Sequence, residues 1–425
     1  MNEGYTGLIA AQRLLRLVPS ALALTAGAWL VSGSAASAQW LPSQPVTWLG
    51  GRLVVSGDAS VSMSTGDHET YFNYGDYDYD MMRLVRLGLA ATLRLGTRVT
   101  LVAELRGEGA TEEWDWRVYP VSSFIRVRPF GRSSVAVAGG IVPPAFGAFM
   151  QRRYGADNLL IGYPLAYQYT TAVRADAIPS TADEVIRNRA RGWAPTYSIG
   201  AGRGVSGLPL VSSTGWNPGV LVSAGSRRAG LKVAVTRGGM AAPGSAGWGG
   251  RWEVTGRGEF RPVTGLVVGV SGAHGAFLAD SLTPIVGTAV ANRDPRESAV
   301  GVDVEWSWGY WLVRAETIVI SRTYPAFVAP YTIDPLTSVA VEAEARYKIL
   351  PGLYAAARIG HVSFGTIQGS DATTSWDADV TRVETGLGYS FTRNVLVKAV
   401  YQYNTRDSER RTTLHLGAVQ LVVRF

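Results

Sequence analysis

From Gln39 onward the chain is almost entirely written in alternation, one apolar position and one polar position after another. In Val99–Arg106 one series is Val99, Leu101, Ala103, Leu105 and the other Thr100, Val102, Glu104, Arg106. In Arg251–Arg261, Trp252, Val254, Gly256, Gly258 and Phe260 alternate with Arg251, Glu253, Thr255, Arg257, Glu259 and Arg261. In Val339–Lys348, Val339, Val341, Ala343, Ala345 and Tyr347 alternate with Ala340, Glu342, Glu344, Arg346 and Lys348. A period of two marks a strand with one apolar face. A one-residue slip would invert both faces, so register is well specified.

Sixteen such runs are read, the first at 48–65 and the last at 412–425. The run 116–130 contains Pro120, and proline cannot donate to a ladder; the runs 133–143 and 219–228 flank the longest gap. Short connections, such as Leu95–Arg98, Gly309–Tyr310 and Leu350–Gly352, alternate strictly with long ones. A soluble sandwich needs neither such long strands nor loops sorted to one end. A transmembrane barrel needs an even strand number, alternating lipid and lumen faces, and tight turns at one rim. Closure is forced, because hydrocarbon offers no partner to an open sheet edge. The fold class expected is therefore all-β: a transmembrane antiparallel β-barrel of about 16 strands. Trp306, Trp308, Trp311, Tyr347, Tyr389, Phe391, Tyr401 and Tyr403 fall near strand ends, where an interfacial girdle belongs.

The address agrees. Arg13 and Arg16 precede an apolar stretch to Val31, and Ala36-Ser37-Ala38 is a small-x-small cleavage site. Residues 1–38 read as a signal peptide and 39–425 as the barrel. After Gln39 no apolar run approaches the ~18 residues of a membrane helix.

The segment 144–218, between runs five and six, has little strand character. Pro144, Pro164, Pro179, Pro195, Pro209 and Pro218 punctuate it. It is too rich in large apolar residues (Phe146, Phe149, Tyr163, Tyr167, Tyr169, Trp193) for disorder. Thr181-Ala182-Asp183-Glu184 is a capping box that predicts a short helix. A folded loop standing in water would expose those rings; turned into the barrel it packs them on a wall. That would bring Arg152, Arg153, Arg187, Arg189 and Arg191 into the lumen, as pore lining or as anchors to wall acids.

The last residue is Phe425, with Val423, Leu421 and Val419 on its face. This resembles the C-terminal assembly signature of Gram-negative outer-membrane barrels. With the sixteen runs and the long loop after the fifth, the chain resembles the general porins, whose third external loop folds into the pore. Gly139-Gly140-Ile141-Val142-Pro143-Pro144-Ala145-Phe146-Gly147 is also similar to a Gly-x-x-x-x-Pro-Phe-Gly-like run of anion-selective porins of the O/P type, with an extra Pro-Ala before the Phe. The resemblance implies outer-membrane lipid and lipopolysaccharide, the barrel assembly machinery and small hydrophilic solutes as partners, with a homotrimer as the assembly. Here the loop is longer and richer in arginine than the resemblance implies.

Composition removes whole classes of chemistry. Without cysteine there is no disulfide, thiolate metal site or Cys nucleophile. His68, His274, His361 and His415 have no zinc-pair spacing. No catalytic residue, cofactor or metal site is expected. Asp67, Glu69, Asp76, Asp78 and Asp80 could collect Ca²⁺ at a loop tip or form a solvated rim. Basic residues are spread among acids, which does not suit nucleic acid.

Alternation instead assigns a charged lumen. Its basic members include Arg86, Arg106, Arg126, Arg257, Arg346 and Arg382; its acidic members include Glu104, Glu253, Glu342 and Glu344. A basic excess in a lined pore favours anions. Two functions fit: a diffusion channel with modest anion preference, or a closed barrel serving as a surface or partner-binding scaffold. N-terminal sequencing of the membrane form is expected to read Gln39-Trp40; an intact Met1 there would sink the signal-peptide reading.

Overall fold

The computed structural model describes residues 44–65, 82–109, 116–130, 134–202, 205–213, 216–241, 252–408 and 413–425. Residues 1–38, read as a signal peptide, the acidic 67–80 segment and His68 lie outside them.

Sixteen antiparallel strands form the wall. The first eight are β1 Leu53–Ser64, β2 Met82–Arg94, β3 Val99–Gly109, β4 Trp116–Val127, β5 Ala136–Val142, β6 Asn217–Gly225, β7 Ala229–Arg237 and β8 Trp252–Phe260. The rest are β9 Leu266–Gly275, β10 Glu297–Trp308, β11 Trp311–Arg322, β12 Leu336–Leu350, β13 Leu353–Phe364, β14 Val380–Ser390, β15 Val395–Arg406 and β16 Thr413–Arg424. Each pairs with its sequence neighbour, and β16 pairs with β1 from Asp58↔Arg424 to Ser64↔Ala418. No barrel edge is left open, as hydrocarbon requires.

The alternation sorts as read. In β8 Trp252 and Val254 are exposed while Glu253, Thr255 and Arg257 are buried. Outward positions around the barrel carry exposed Val, Leu, Ile and aromatic side chains. Near the short turns the outward aromatics pack on one another: Trp306 stacks on Trp308, and Trp311 lies 4.8 Å from Tyr347.

Three departures from the sequence reading have local causes. The run 48–65 is two strands. Leu49, Gly50 and Gly51 all take positive φ, which ends a strand. A three-residue strand, Val46–Trp48, turns there and pairs with Leu53–Val55. In β4 the register shifts opposite Glu104 and Leu105. Val121 and Ser122 are both buried while Pro120 and Ser123 both face out. The bulge thus absorbs the proline and restores Ile125 to the lipid face. Finally, β5 is shorter than the run 133–143, and β6 begins two residues before the run 219–228 and ends three residues before its end. They pair directly, with Val142 opposite Asn217, at the foot of the long loop.

The loop fills the lumen. It contains a helical turn, Phe149–Arg152, and two short helices, α1 Leu165–Gln168 and α2 Ala182–Arg187. The cap of α2 forms as predicted: Glu184 donates its backbone N–H to Thr181 Oγ1 at 3.4 Å. The Glu184 carboxylate reaches back one residue farther than expected, to the Ser180 N–H at 2.8 Å. Phe146, Phe149, Tyr163, Tyr167 and Val185 of the loop share one apolar core with Phe277, Leu282, Tyr324, Ile367 and Trp376 of the long outer connections. Burying each such side chain contributes about 1.5–3 kcal/mol, so the loop is held on its outer side by packing.

Phe425 seals the closure. Its backbone exchanges two hydrogen bonds with Gly57, at 2.9 and 3.0 Å. A Cβ at Gly57 would stand 2.6 Å from the Phe425 ring. Overpacking of this kind costs about 1–3 kcal/mol. Gly57→Val is therefore expected to lower the heat-modifiable, folded fraction on unboiled gels, as deletion of Phe425 should; an unchanged folded fraction would count against the terminal residue as closing element.

Candidate functional site

The lumen wall holds the loop by its backbone. Arg358, on β13, donates to the Gly162 carbonyl at 2.6 Å and to Asn158 Oδ1 at 2.8 Å. The same guanidinium meets Glu344 at 2.8 Å and Glu384 at 3.3 Å. Glu384 in turn accepts from the Gly162 N–H at 3.0 Å. One residue of the loop is thus gripped on both its donor and its acceptor side. Lys398 on β15 donates to the carbonyls of Gly155, Asn158 and Leu160 at 2.8, 3.2 and 2.7 Å. Arg382 on β14 reaches the Tyr163 carbonyl at 3.2 Å and Gln168 Oε1 at 2.9 Å. Two strands from Arg358 along the wall, on β11, Arg322 holds the carbonyls of Pro209 and Leu210. Glu316 accepts from the Ala148 N–H at 2.7 Å and from the Tyr167 hydroxyl. These are charge-assisted bonds to groups shielded from water, where each is worth roughly twice a neutral one.

The sequence-predicted residues divide by height. Arg152 lies within 3.8 Å of Glu344 and 3.9 Å of Glu305 and faces open space. Arg153 is buried, donates to the Ser213 carbonyl at 2.9 Å, and stands 3.9 Å from Glu104. Glu104 accepts the Tyr154 hydroxyl. Arg187, Arg189 and Arg191 sit higher. Arg187 is exposed with Glu184 at 3.8 Å. Arg189 donates to Ser375 of the β13–β14 connection. Arg191 is half-buried, and its Nε has no hydrogen-bond partner.

On the wall, Arg86 pairs with Glu108 at 3.1 Å, and Arg106 is 3.7 Å from the same carboxylate. Arg126 is half-buried near the turn end of β4, opposite Thr100. Arg257 is paired to Asp303. Glu253 is buried without a hydrogen bond to either oxygen; Glu342 stands 3.4 Å from Arg358.

Below the loop, on the short-turn side, is a cavity of about 780 Å³. Its roof is Ala148, Arg152 and the 156–159 stretch. Arg257, Arg261, Arg314, Arg346, Lys348, Arg393 and Arg424 join Arg152 on its lining, against Asp157, Glu259, Asp303 and Glu305. Several of these charges neutralise one another: Arg257 with Asp303, Arg261 with Glu259, Arg314 with Glu305. Arg346 instead lays its guanidinium 5.9 Å from the Tyr354 ring, and its Nε has no hydrogen-bond partner.

Asn158 and Asp377 had no signal in the sequence, because alternation says nothing about loops. Asp377, in the β13–β14 connection, accepts from the backbone N–H groups of Ala172 and Ala190 at 2.7 and 2.8 Å. It thereby pins two points of the long loop, one of them Ala190 in a left-handed conformation at φ 56°.

A closed sixteen-strand wall with an apolar outside, a charged inside and an inward loop defines an outer-membrane β-barrel of porin architecture. Solved structures agree on the fold. Outer-membrane-expressed OmpT of Vibrio cholerae superposes with TM-score 0.53 at 12% identity, covering 90% of this chain and 100% of that one. The anion-selective porin from Comamonas acidovorans gives 0.53 at 11% identity, covering 88% and 98%. The outer membrane channel DcaP of Acinetobacter baumannii gives 0.51 at 12% identity, covering 90% and 100%. No protein-family model and no curated protein matches the chain.

Burial pushes the Asp377 carboxyl up to about 6, against the opposing pull of its N–H donors and of Arg406. Tyr169 and Tyr197 also face it. A carboxyl raised in the folded state stabilises most below its unfolded value near 4, and that contribution is lost as pH rises through 6. The two-unit difference corresponds to about 3 kcal/mol. Between pH 4 and 6 the docked loop is expected to lose stability with rising pH relative to Asp377→Asn, which has no such dependence. Limited proteolysis of the loop across that window checks it; parallel profiles for the two proteins would contradict it.

Proposed function

We propose that this barrel is a passive diffusion channel for small hydrophilic solutes, with a modest preference for anions. The observation that carries the reading is the charge balance of the cavity under the loop: eight basic side chains against four acidic ones. A field of one sign between low-dielectric walls concentrates counter-ions. Arginine suits the task, since it stays charged at any relevant pH and its planar fork matches carboxylate and phosphate. Lipid, lipopolysaccharide, the barrel assembly machinery and a homotrimeric assembly belong to the same reading. It assigns the protein no catalytic step.

One observation favours a second reading. The apolar core shared by the loop and the outer connections caps the lumen above the cavity. A barrel capped in this way would be a surface scaffold without conductance. Planar-bilayer recording separates the two: open-channel steps support the channel, and a silent, correctly folded barrel supports the scaffold. In the conducting case the joint variant Arg152→Gln, Arg346→Gln, Lys348→Gln is expected to move the reversal potential under a salt gradient toward cations. Arg187→Gln, Arg189→Gln, Arg191→Gln, placed in the outer layer, should move it less. Equal shifts would show that cavity charge does not set selectivity.

A further inference from the structure

The rim at the short-turn end carries charge of one sign. Its eight connections (49–52, 95–98, 128–135, 226–228, 261–265, 309–310, 351–352 and 391–394) contain eight arginines and not one Asp or Glu. Among the described residues the acids of the connections lie at the other end, as at Asp280, Asp294, Asp334 and Asp371. A solvated rim has no need of such a bias; mixed charges keep a surface soluble just as well. Arg52, Arg98, Arg128, Arg227, Arg228 and Arg393 are exposed.

The same turns present large apolar side chains beside the arginines. Leu49, Leu95, Phe130, Val263 and Phe391 are each more than half exposed. They continue the outward band of Trp308, Trp311 and Tyr389 that marks the lipid boundary. Cation and apolar group side by side, at the level of an aromatic girdle, is the chemistry of a headgroup layer. The apolar part enters the acyl boundary and the guanidinium reaches back to phosphate.

We propose that this rim is a binding collar for anionic phospholipid headgroups in the leaflet at the short-turn end. Charge complementarity and continuity with the lipid-facing band select a lipid over an acidic glycan, which would leave Leu49, Phe130 and Phe391 in water. Arg52, Arg98, Arg227 and Arg228 of the collar are not among the residues lining the lumen cavity, and the collar does not depend on whether the channel conducts.

The test uses the full barrel in detergent, titrated with phosphatidylglycerol or phosphatidylcholine and read by native mass spectrometry. The joint variant Arg52→Gln, Arg98→Gln, Arg227→Gln, Arg228→Gln touches no cavity residue. The wild type is expected to retain phosphatidylglycerol at least about tenfold better, since each basic group near an anionic surface is worth on the order of fivefold. The variant should lose most of that preference while keeping heat-modifiability. Should the variant fail to fold, salt decides on the wild type alone: at ~1 M, with a Debye length of about 3 Å, the preference should vanish. Equal retention of the two lipids, a preference that survives high salt, or one unchanged in the folded variant would overturn the collar. So would a variant that stops sedimenting with peptidoglycan sacculi while its lipid preference is intact, because the occupant is then the glycan.

Discussion

Everything inside this barrel depends on cations of the wall that have been given to the loop. Arg358, Lys398, Arg382 and Arg322 end on loop carbonyls. Taking these groups from water is costly unless every donor finds an acceptor. The loop offers carbonyls from Gly155 to Tyr163, and the wall acids Glu344 and Glu384 complete the set. The loop in turn needs the wall, because a segment without regular structure has backbone groups that only side chains can satisfy. Each side is the solution to the other's desolvation.

This arrangement divides the lumen's charges into two populations. Those met by loop backbone or by a close acid are structural. Those facing the cavity below the loop without a close acid, such as Arg346 and Lys348, are free to act on a solute. Above the loop the chemistry changes to rings on rings, with Tyr324 in edge contact with Phe277 and Tyr197. Polar grip from the sides, apolar packing from the outside and open charged space underneath are three faces of one folded segment.

The wall was legible because its period is enforced at every residue by two unlike environments. That covered the strand number, the face of nearly every side chain and the order of short and long connections. Where one environment relaxed, the reading slipped: Leu49-Gly50-Gly51 broke the first run, and the β4 bulge put Val121 inward beside Ser122. The loop was legible only where local chemistry acts, as at the Thr181 cap. Heights within it were not, so five arginines that looked alike in the sequence came to rest in three different places. Arg152 faces the cavity, Arg153 is buried against the wall, and Arg187, Arg189 and Arg191 lie in the outer layer. Asp377 could not be found at all, since its partners are backbone N–H groups some two hundred residues away.

The foot of the loop has one more consequence. Val142 and Asn217 are paired neighbours in the wall, so the chain leaves and re-enters the sheet at a single point. The wall can zip shut around the whole circumference whether or not the intervening segment has found its place. Because the entropy of closing such a loop grows only with the logarithm of its length, the insert is free to lengthen, shorten or be exchanged over evolutionary time. The barrel is the chassis and the insert is replaceable cargo, so relatives can keep the same wall while carrying unrelated filling.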